Sequence, residues 1–212
     1  MLDTEGPAIT AWVKAARVLG RQVDEAVARK TIGINEAASR AILVDAYGPD
    51  FPYEAIRKEL FNILFEEGEK NGISQKPGLV PLLDHLDSLH IPLAVATSTA
   101  RQVAEWRLSR GGIRDRFPVM VFGDDISRSK PAPDIFLLAA QKLGKVPADC
   151  LGFEDSPAGL QALHAAGIKS IFVKDLVEPS PEVLATVWRR CGDLAEAIGL
   201  ITPSHSAATS RT

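Results

Sequence analysis

Long apolar runs are missing from this sequence. No stretch approaches the ~20 consecutive apolar residues needed to cross a bilayer, and no basic segment followed by an apolar one opens the chain as a secretion signal would. Cysteine is scarce: Cys150 and Cys191 are the only two among 212 residues. They lie in unrelated contexts without metal-ligand spacing, so the expectation is two reduced thiols rather than a disulfide or a zinc site. Cys150 opens an apolar run and is expected to be a small buried hydrophobe. An excess of positive charge is missing as well. With 24 Lys and Arg against 27 Asp and Glu, the net charge is -3 and the pI about 5.8. Nothing in that balance asks for nucleic acid or an anionic membrane as partner. It leaves an anionic substrate open, because a pocket can be locally positive on an acidic protein. These absences together point to a cytoplasmic protein.

What is present is an ordinary globular composition, 46% hydrophobic with a mean hydropathy of +0.04. The length suits one large domain or two small ones, and no internal repeat is found. The first third reads as helix throughout. Ile9, Trp12, Val13, Ala16 and Leu19 recur at helical spacing up to Gly20. Ala38, Ile42 and Ala46 line one face of a second helix over 34–47. A third begins near Pro52, carries Tyr53, Ile56, Leu60, Ile63 and Leu64, and is broken by Asn71-Gly72. These amphipathic faces predict a compact helical unit.

The pattern changes at Pro77-Gly78. Short apolar runs at Leu93–Thr97, Val119–Phe122, Leu151–Phe153 and Ser170–Val173 alternate with helical patterns near 79–89, 100–110, 133–143 and 157–166. Strands alternating with helices of this size predict a parallel sheet with crossovers, an α/β fold. The polar segment from Thr202 onward predicts a disordered tail. Open parallel sheets bind ligands beyond the carboxyl ends of their strands. The residues there are Thr97-Ser98-Thr99, Gly123-Asp124-Asp125 and Glu154-Asp155-Ser156-Pro157, with Ser129-Lys130-Pro131-Ala132-Pro133-Asp134 in the loop before a helix.

Each group has a chemical reading and a plainer one. The amides of Ser98 and Thr99 would open a helix N-terminus, which binds phosphate through unpaired N–H groups; alternatively Thr97 or Ser98 is a helix cap. Lys130 stands on a loop stiffened by prolines, where a fixed ammonium would neutralise a phosphoryl oxygen or a carboxylate; alternatively it is a surface lysine. Glu154 and Asp155 are adjacent hard-oxygen donors suited to magnesium. Otherwise one of them caps the next helix, or pairs with Lys130, which is compatible with metal binding.

The strings Val95-Ala96-Thr97-Ser98, Ser129-Lys130-Pro131-Ala132-Pro133-Asp134-Ile135-Phe136 and Gly152-Phe153-Glu154-Asp155-Ser156-Pro157-Ala158-Gly159 resemble the second, third and fourth motifs of the haloacid dehalogenase superfamily. They stand in the right order and separation, and the nearest likeness is to its beta-phosphoglucomutase-like branch of sugar-phosphate and nucleotide phosphatases. The resemblance covers about residues 1–200. It implies a Rossmann-like parallel core with helices on both faces, formed by 1–4 and 76–200. It also implies an inserted helical cap over 5–75, and leaves 201–212 as the tail. By resemblance, Thr97 binds the transferring phosphoryl group, with Ser98 and Thr99 beside it, and Lys130 stabilises its charge. Asp155 ligates Mg2+, with Glu154 a second or water-mediated ligand. Asn35, in Thr31-Ile32-Gly33-Ile34-Asn35-Glu36, would contact substrate; otherwise it is a helix cap. The implied activity is hydrolysis of a small phosphorylated metabolite through an aspartyl-phosphate. A phosphosugar mutase is less favoured, because mutases of this branch carry a basic residue after the Gly-x-Ser turn of the cap. A dehalogenase is less favoured still. A non-catalytic phosphometabolite-binding protein is the alternative of a different class.

The family's first motif, a strand ending in Asp-x-Asp-Gly, is not found; no Asp-x-Asp pair occurs anywhere in the chain. Met1-Leu2-Asp3-Thr4-Glu5 resembles the triplet that follows that motif and opens the cap, so Asp3 is not read as the nucleophile. The expectation is a chain lacking its first core strand, inactive as written. Several buried side chains worth roughly 1.5–3 kcal/mol each would be lost with such a strand, about 10 kcal/mol together, which rivals the stability of a typical domain. A misassigned start is preferred to a truncated remnant. Sequencing the genomic region upstream of Met1 is expected to show an in-frame apolar strand ending in Asp-x-Asp-Gly; a stop codon there overturns the preference.

Overall fold

The computed structural model describes residues 1–201 apart from Gly33 and Asn35. The expected contact Asn35 and the expected tail from Thr202 therefore lie outside the described residues. In chain order the elements are α1 (Glu5–Val18), α2 (Glu25–Arg29), α3 (Glu36–Tyr47), α4 (Tyr53–Asn71), α5 (Leu79–Ser88), β1 (Ala94–Ala96), α6 (Arg101–Arg110), β2 (Val119–Val121), α7 (Asp134–Lys142), β3 (Leu151–Glu154), α8 (Pro157–Ala165), β4 (Lys169–Val173), α9 (Pro181–Leu184) and β5 (Arg189–Cys191). The α/β architecture follows the alternation in the sequence. None of the described helices is long and apolar enough to cross a membrane.

The chain divides into two units. The first comprises Met1–Gln75 with Gln102–Arg114. Its core forms because α1 and α4 each place apolar residues three and four apart on one face. Ile9, Trp12, Ala15 and Ala16 meet Tyr53, Ile56 and Leu60, with Leu43 of α3 fully buried beside them. Trp12 and Tyr53 pack ring against ring at 5.7 Å. The two ends of the leading segment are tied together, since Leu2 bridges Gln75 and the Asp3 amide donates to the Ser74 carbonyl at 2.8 Å. Helix α6, from Gln102 onward, belongs with this unit. Trp106 stacks on Phe65 with ring centroids 5.0 Å apart and donates its indole N–H to Glu69 at 2.6 Å.

The second unit comprises Lys76–Arg101 and the chain from Asp115. All of its strand pairs are parallel, as expected, but the strands form two sheets instead of one. Strand β1 pairs with β2, Ala94 opposite Val119 and Ala96 opposite Val121. Strand β4 lies between β3 and β5, with Leu151 opposite Lys169 and Ile171 opposite Arg189. Among the described residues no ladder joins β1 to β3. The join is made by side chains: Val121, Ile135, Phe136, Ala139, Ala162 and Leu163 share one core with Ala94 and Ala96. Helix α7 packs on β1 and β2, α8 on β3 and β4, and the two helices pack on each other.

Three local expectations need correction. Strand β5 was not anticipated, because Arg189 and Arg190 are exposed and only Cys191 is buried; an edge strand needs no apolar run. The short helices α2 and α9 escaped for lack of a full helical period. Cys150 is half-exposed rather than buried, its thiol turned to the Val146 carbonyl at 3.5 Å, and Cys191 is the buried thiol.

The α8–β3 contact is close enough to test. A Cβ on Gly152 would stand 2.4 Å from the fully buried Leu163 side chain. Gly152→Val is therefore expected to destabilise the protein by about 1–3 kcal/mol through overpacking, read as a lower urea midpoint. Adding Leu163→Ala should restore part of the loss. An unchanged midpoint in the single variant would show that the two elements are not in contact.

Candidate functional site

The loop between β2 and α7 presents Lys130. Asp134, in the first turn of α7, receives the Arg128 guanidinium through two hydrogen bonds of 3.0 and 2.9 Å, and the Ala132 amide returns to the Ser129 carbonyl at 3.0 Å. The Lys130–Pro131 peptide is cis. Held this way, Lys130 places Nζ 2.8 Å from Glu154 Oε2 at the end of β3, and the two side chains are only 12% and 9% exposed. The ammonium also lies 4.7 Å from the Phe136 ring centre. The other carboxylate oxygen of Glu154 accepts from the Ser156 hydroxyl at 2.6 Å and the Ser156 amide at 3.2 Å. Ser156 in turn caps α8, its hydroxyl oxygen accepting from the Gly159 amide at 3.1 Å. A Cβ on Gly159 would fall 2.0 Å from the Glu154 carboxyl carbon, so the first turn of α8 admits this carboxylate only because residue 159 is glycine.

Burial alone would raise the pKa of Glu154, but the charge and hydrogen bond of Lys130, with the two bonds from Ser156, hold it below the usual carboxylate value. Its neighbour behaves oppositely. Asp155 is pushed up by burial and by the charges of Glu154 and Asp175, and it forms no ion pair among the described residues. Asp175, following β4, is held by Lys76 at 2.8 Å. A buried carboxylate with carboxylate neighbours is stabilised by a cation. Its hard oxygens fit magnesium in kind, since that ion commonly takes one or two carboxylates and fills its shell with water or phosphate oxygen. No group of three or more His, Cys, Asp or Glu is gathered for a metal among the described residues.

Thr97 follows β1, its amide bonded to the Val121 carbonyl at 3.0 Å. The helix expected near 100–110 runs from Arg101 to Arg110, so Ser98 and Thr99 precede it by a short turn. Thr97 Oγ1 accepts the Thr99 amide at 3.2 Å, closing a side-chain turn. The first-turn amide of Arg101 is then capped by Asp124 at 2.7 Å. Because Thr97 Oγ1 accepts that bond, its own O–H remains a donor for a ligand. The loop after β2 holds this turn in place, with Gly123 donating to the Thr99 carbonyl at 3.1 Å and Arg101 pairing with Asp125 at 2.6 Å. Asp125 is held below the usual carboxylate range, first by the Phe122 amide and then by Arg101. The sequence had placed Gly123-Asp124-Asp125 at a strand end without a task; Arg101 and Arg128 were not singled out. Arg101 and Arg128 belong to no recognisable string, and only their carboxylate partners at Asp125 and Asp134 reveal them.

Hydroxyls thus follow β1, and two adjacent carboxylates, one of them paired with Lys130, stand at the end of β3. The sequence pattern of the haloacid dehalogenase-like hydrolases matches residues 3–167. The phosphorylated carbohydrates phosphatase of Thermotoga maritima is 34% identical over 176 residues, 81% of this chain and 79% of that protein. The fructose-1-phosphate phosphatase of Escherichia coli (strain K12) is 31% identical over 179 residues, covering 82% of this chain and 91% of that one. A solved Thermotoga maritima structure assigned as a beta-phosphoglucomutase superposes with a TM-score of 0.80 at 29% identity, over 94% of this chain and 93% of that one. The chain belongs to the haloacid dehalogenase-like hydrolase family.

The buried pair makes a stability prediction. Lys130→Met leaves the Glu154 charge buried without its partner, which costs roughly 3–5 kcal/mol. A thermal melt should show a large drop for this variant and a smaller one for Lys130→Met combined with Glu154→Gln. Equal losses in both would mean that the charge pair is not what holds the two loops.

Proposed function

We propose that the protein is a magnesium-dependent phosphomonoester hydrolase acting on a small phosphorylated metabolite, a sugar phosphate in the first instance. The observation that carries this reading is the division of labour at the end of β3. Lys130 is fixed by Glu154 at 2.8 Å, while the adjacent Asp155 is half-buried, its carboxyl pushed up by burial and by the charge of Glu154, and it forms no ion pair among the described residues. Asp155 is the proposed ligand for Mg2+, and Glu154 acts at one remove by positioning the lysine. When bound, the ion offsets charge on phosphoryl oxygens as a Lewis acid. Lys130 adds a second positive charge, and the Thr97 hydroxyl, with Ser98 and Thr99 around it, donates to the transferring phosphoryl group. Residues 5–75 serve as the substrate-selecting cap and 1–4 with 76–200 as the core; Asn35 stays a proposed substrate contact.

The names of the two phosphatase relatives support the substrate class. In an aspartyl-phosphate route, covalent catalysis splits the displacement into two easier steps. Its nucleophile is a carboxylate that the 212 residues do not supply as an Asp-x-Asp pair, so the test adds a strand ending in that motif ahead of Met1. The mutase reading rests on structural likeness, to the Thermotoga maritima protein in the first place.

The experiment compares the 212-residue chain with the upstream-extended form, using p-nitrophenyl phosphate and a panel of sugar phosphates with and without Mg2+. Phosphate release by the extended form, lost with EDTA and restored by Mg2+, is expected, and little or none by the shorter chain. Within the extended form, Asp155→Asn and Thr97→Val should each lower kcat by about 10²–10³, the typical effect of removing one charge-stabilising group. Full turnover by the shorter chain, or metal-independent turnover, contradicts the mechanism. Isomerised sugar phosphate in place of free phosphate would favour the mutase.

A further inference from the structure

A second site is visible in the first unit. A cleft of about 760 Å³ opens between the second half of α4 and the first two turns of α6. That volume lies within the range of about 300–1,000 Å³ that small-molecule sites occupy. None of Thr97, Lys130, Glu154 or Asp155 lines it. One wall is aromatic: Phe65 stacked on Trp106, with Phe61 one turn away, and the two phenylalanines remain 52% and 41% exposed. Such large apolar faces are usually covered.

Beside that wall stands Arg107, half-buried, with no hydrogen bond, ion pair or ring contact to its guanidinium among the described residues. Burial pulls its pKa below the ordinary guanidinium value, with no carboxylate acting against it. The other arginines around this helix are engaged: Arg101 with Asp125 and Arg110 with Glu69. Two carboxylates share the lining, Glu67, which pairs with Lys14 at 2.6 Å, and Asp3. Gln102 adds an uncharged amide to the lining.

We propose that this cleft binds a small organic anion with a flat apolar ring, the ring against Phe65 and Trp106 and the anionic group on Arg107. A guanidinium pairs bidentately with carboxylate or phosphate oxygens, and a planar ring gains contact area on an aromatic face at little entropic cost.

The test titrates 2-naphthoate and its uncharged counterpart 2-naphthamide into the ¹⁵N-labelled 212-residue chain and follows the indole N–H signals of its three tryptophans. The Trp106 signal should shift saturably with naphthoate, and those of Trp12 and Trp188 should stay in place. A charged hydrogen bond is worth about 1.5–3 kcal/mol, so the amide should bind roughly 10–150-fold more weakly. Arg107→Gln should bring naphthoate down to the amide's affinity and leave the amide unaffected. No shift of Trp106 at millimolar ligand, equal affinity for the two ligands, or equal movement of all three tryptophans overturns the proposal. If Arg107→Gln fails to give a cooperative melt, the comparison of the two ligands on the unaltered chain decides.

Discussion

The contact between Lys130 and Glu154 is the one on which the rest of the second unit depends. It joins a loop carried by the β1–β2 sheet to the end of a strand in the β3–β4–β5 sheet, which no ladder connects among the described residues. A buried ion pair is seldom a large net source of stability, because desolvation offsets most of the Coulomb attraction. Its effect is on geometry. With Ser156 holding the second carboxylate oxygen and Gly159 leaving room for it, Glu154 has one place to be, and Lys130 follows.

That commitment determines what its neighbour does. Two adjacent carboxylates at one strand end would ordinarily share any cation. Here one is satisfied by Lys130 and Ser156, so the charge left over is concentrated on Asp155. The helices extend the same logic to the hydrocarbon. Ile135 and Phe136 of α7 and Ala162 and Leu163 of α8 supply one core beneath both sheets, so apolar packing and one ion pair together do the work that a continuous ladder would do elsewhere.

Much of this was legible in the sequence, for a physical reason. Parallel strands buried beneath helices read as short apolar runs, so the strand ends that carry Thr97, Glu154 and Asp155 could be placed from local pattern alone. Lys130 was placed by the prolines that follow it. The three motif strings led to the family that the comparisons then showed. What stayed hidden was everything decided by partners distant in sequence. The cap on the first turn of α6 comes from Asp124, 23 residues from Arg101. The occupied state of Glu154 depends on Lys130, 24 residues away. The association of α6 with the helical unit turns on Trp106 meeting Phe65 and Glu69, a contact that helical periodicity cannot reveal. Strand β5 was missed because its outward residues are arginines, and Cys150 because an apolar run beginning at a residue does not require that residue to be buried.

Charge compensation is the common measure across both units. Lys130, Arg101, Arg110 and Arg128 each meet a carboxylate, and in every case the effect is to fix a loop or a helix. Asp155 at a strand end and Arg107 in an aromatic-walled cleft are half-buried and form no ion pair among the described residues. Removing a charge from water without a partner is unfavourable, and a fold that does so at only a few places concentrates its capacity to bind ions there. The two groups have opposite sign. The carboxylate therefore favours a cation and the guanidinium an anion.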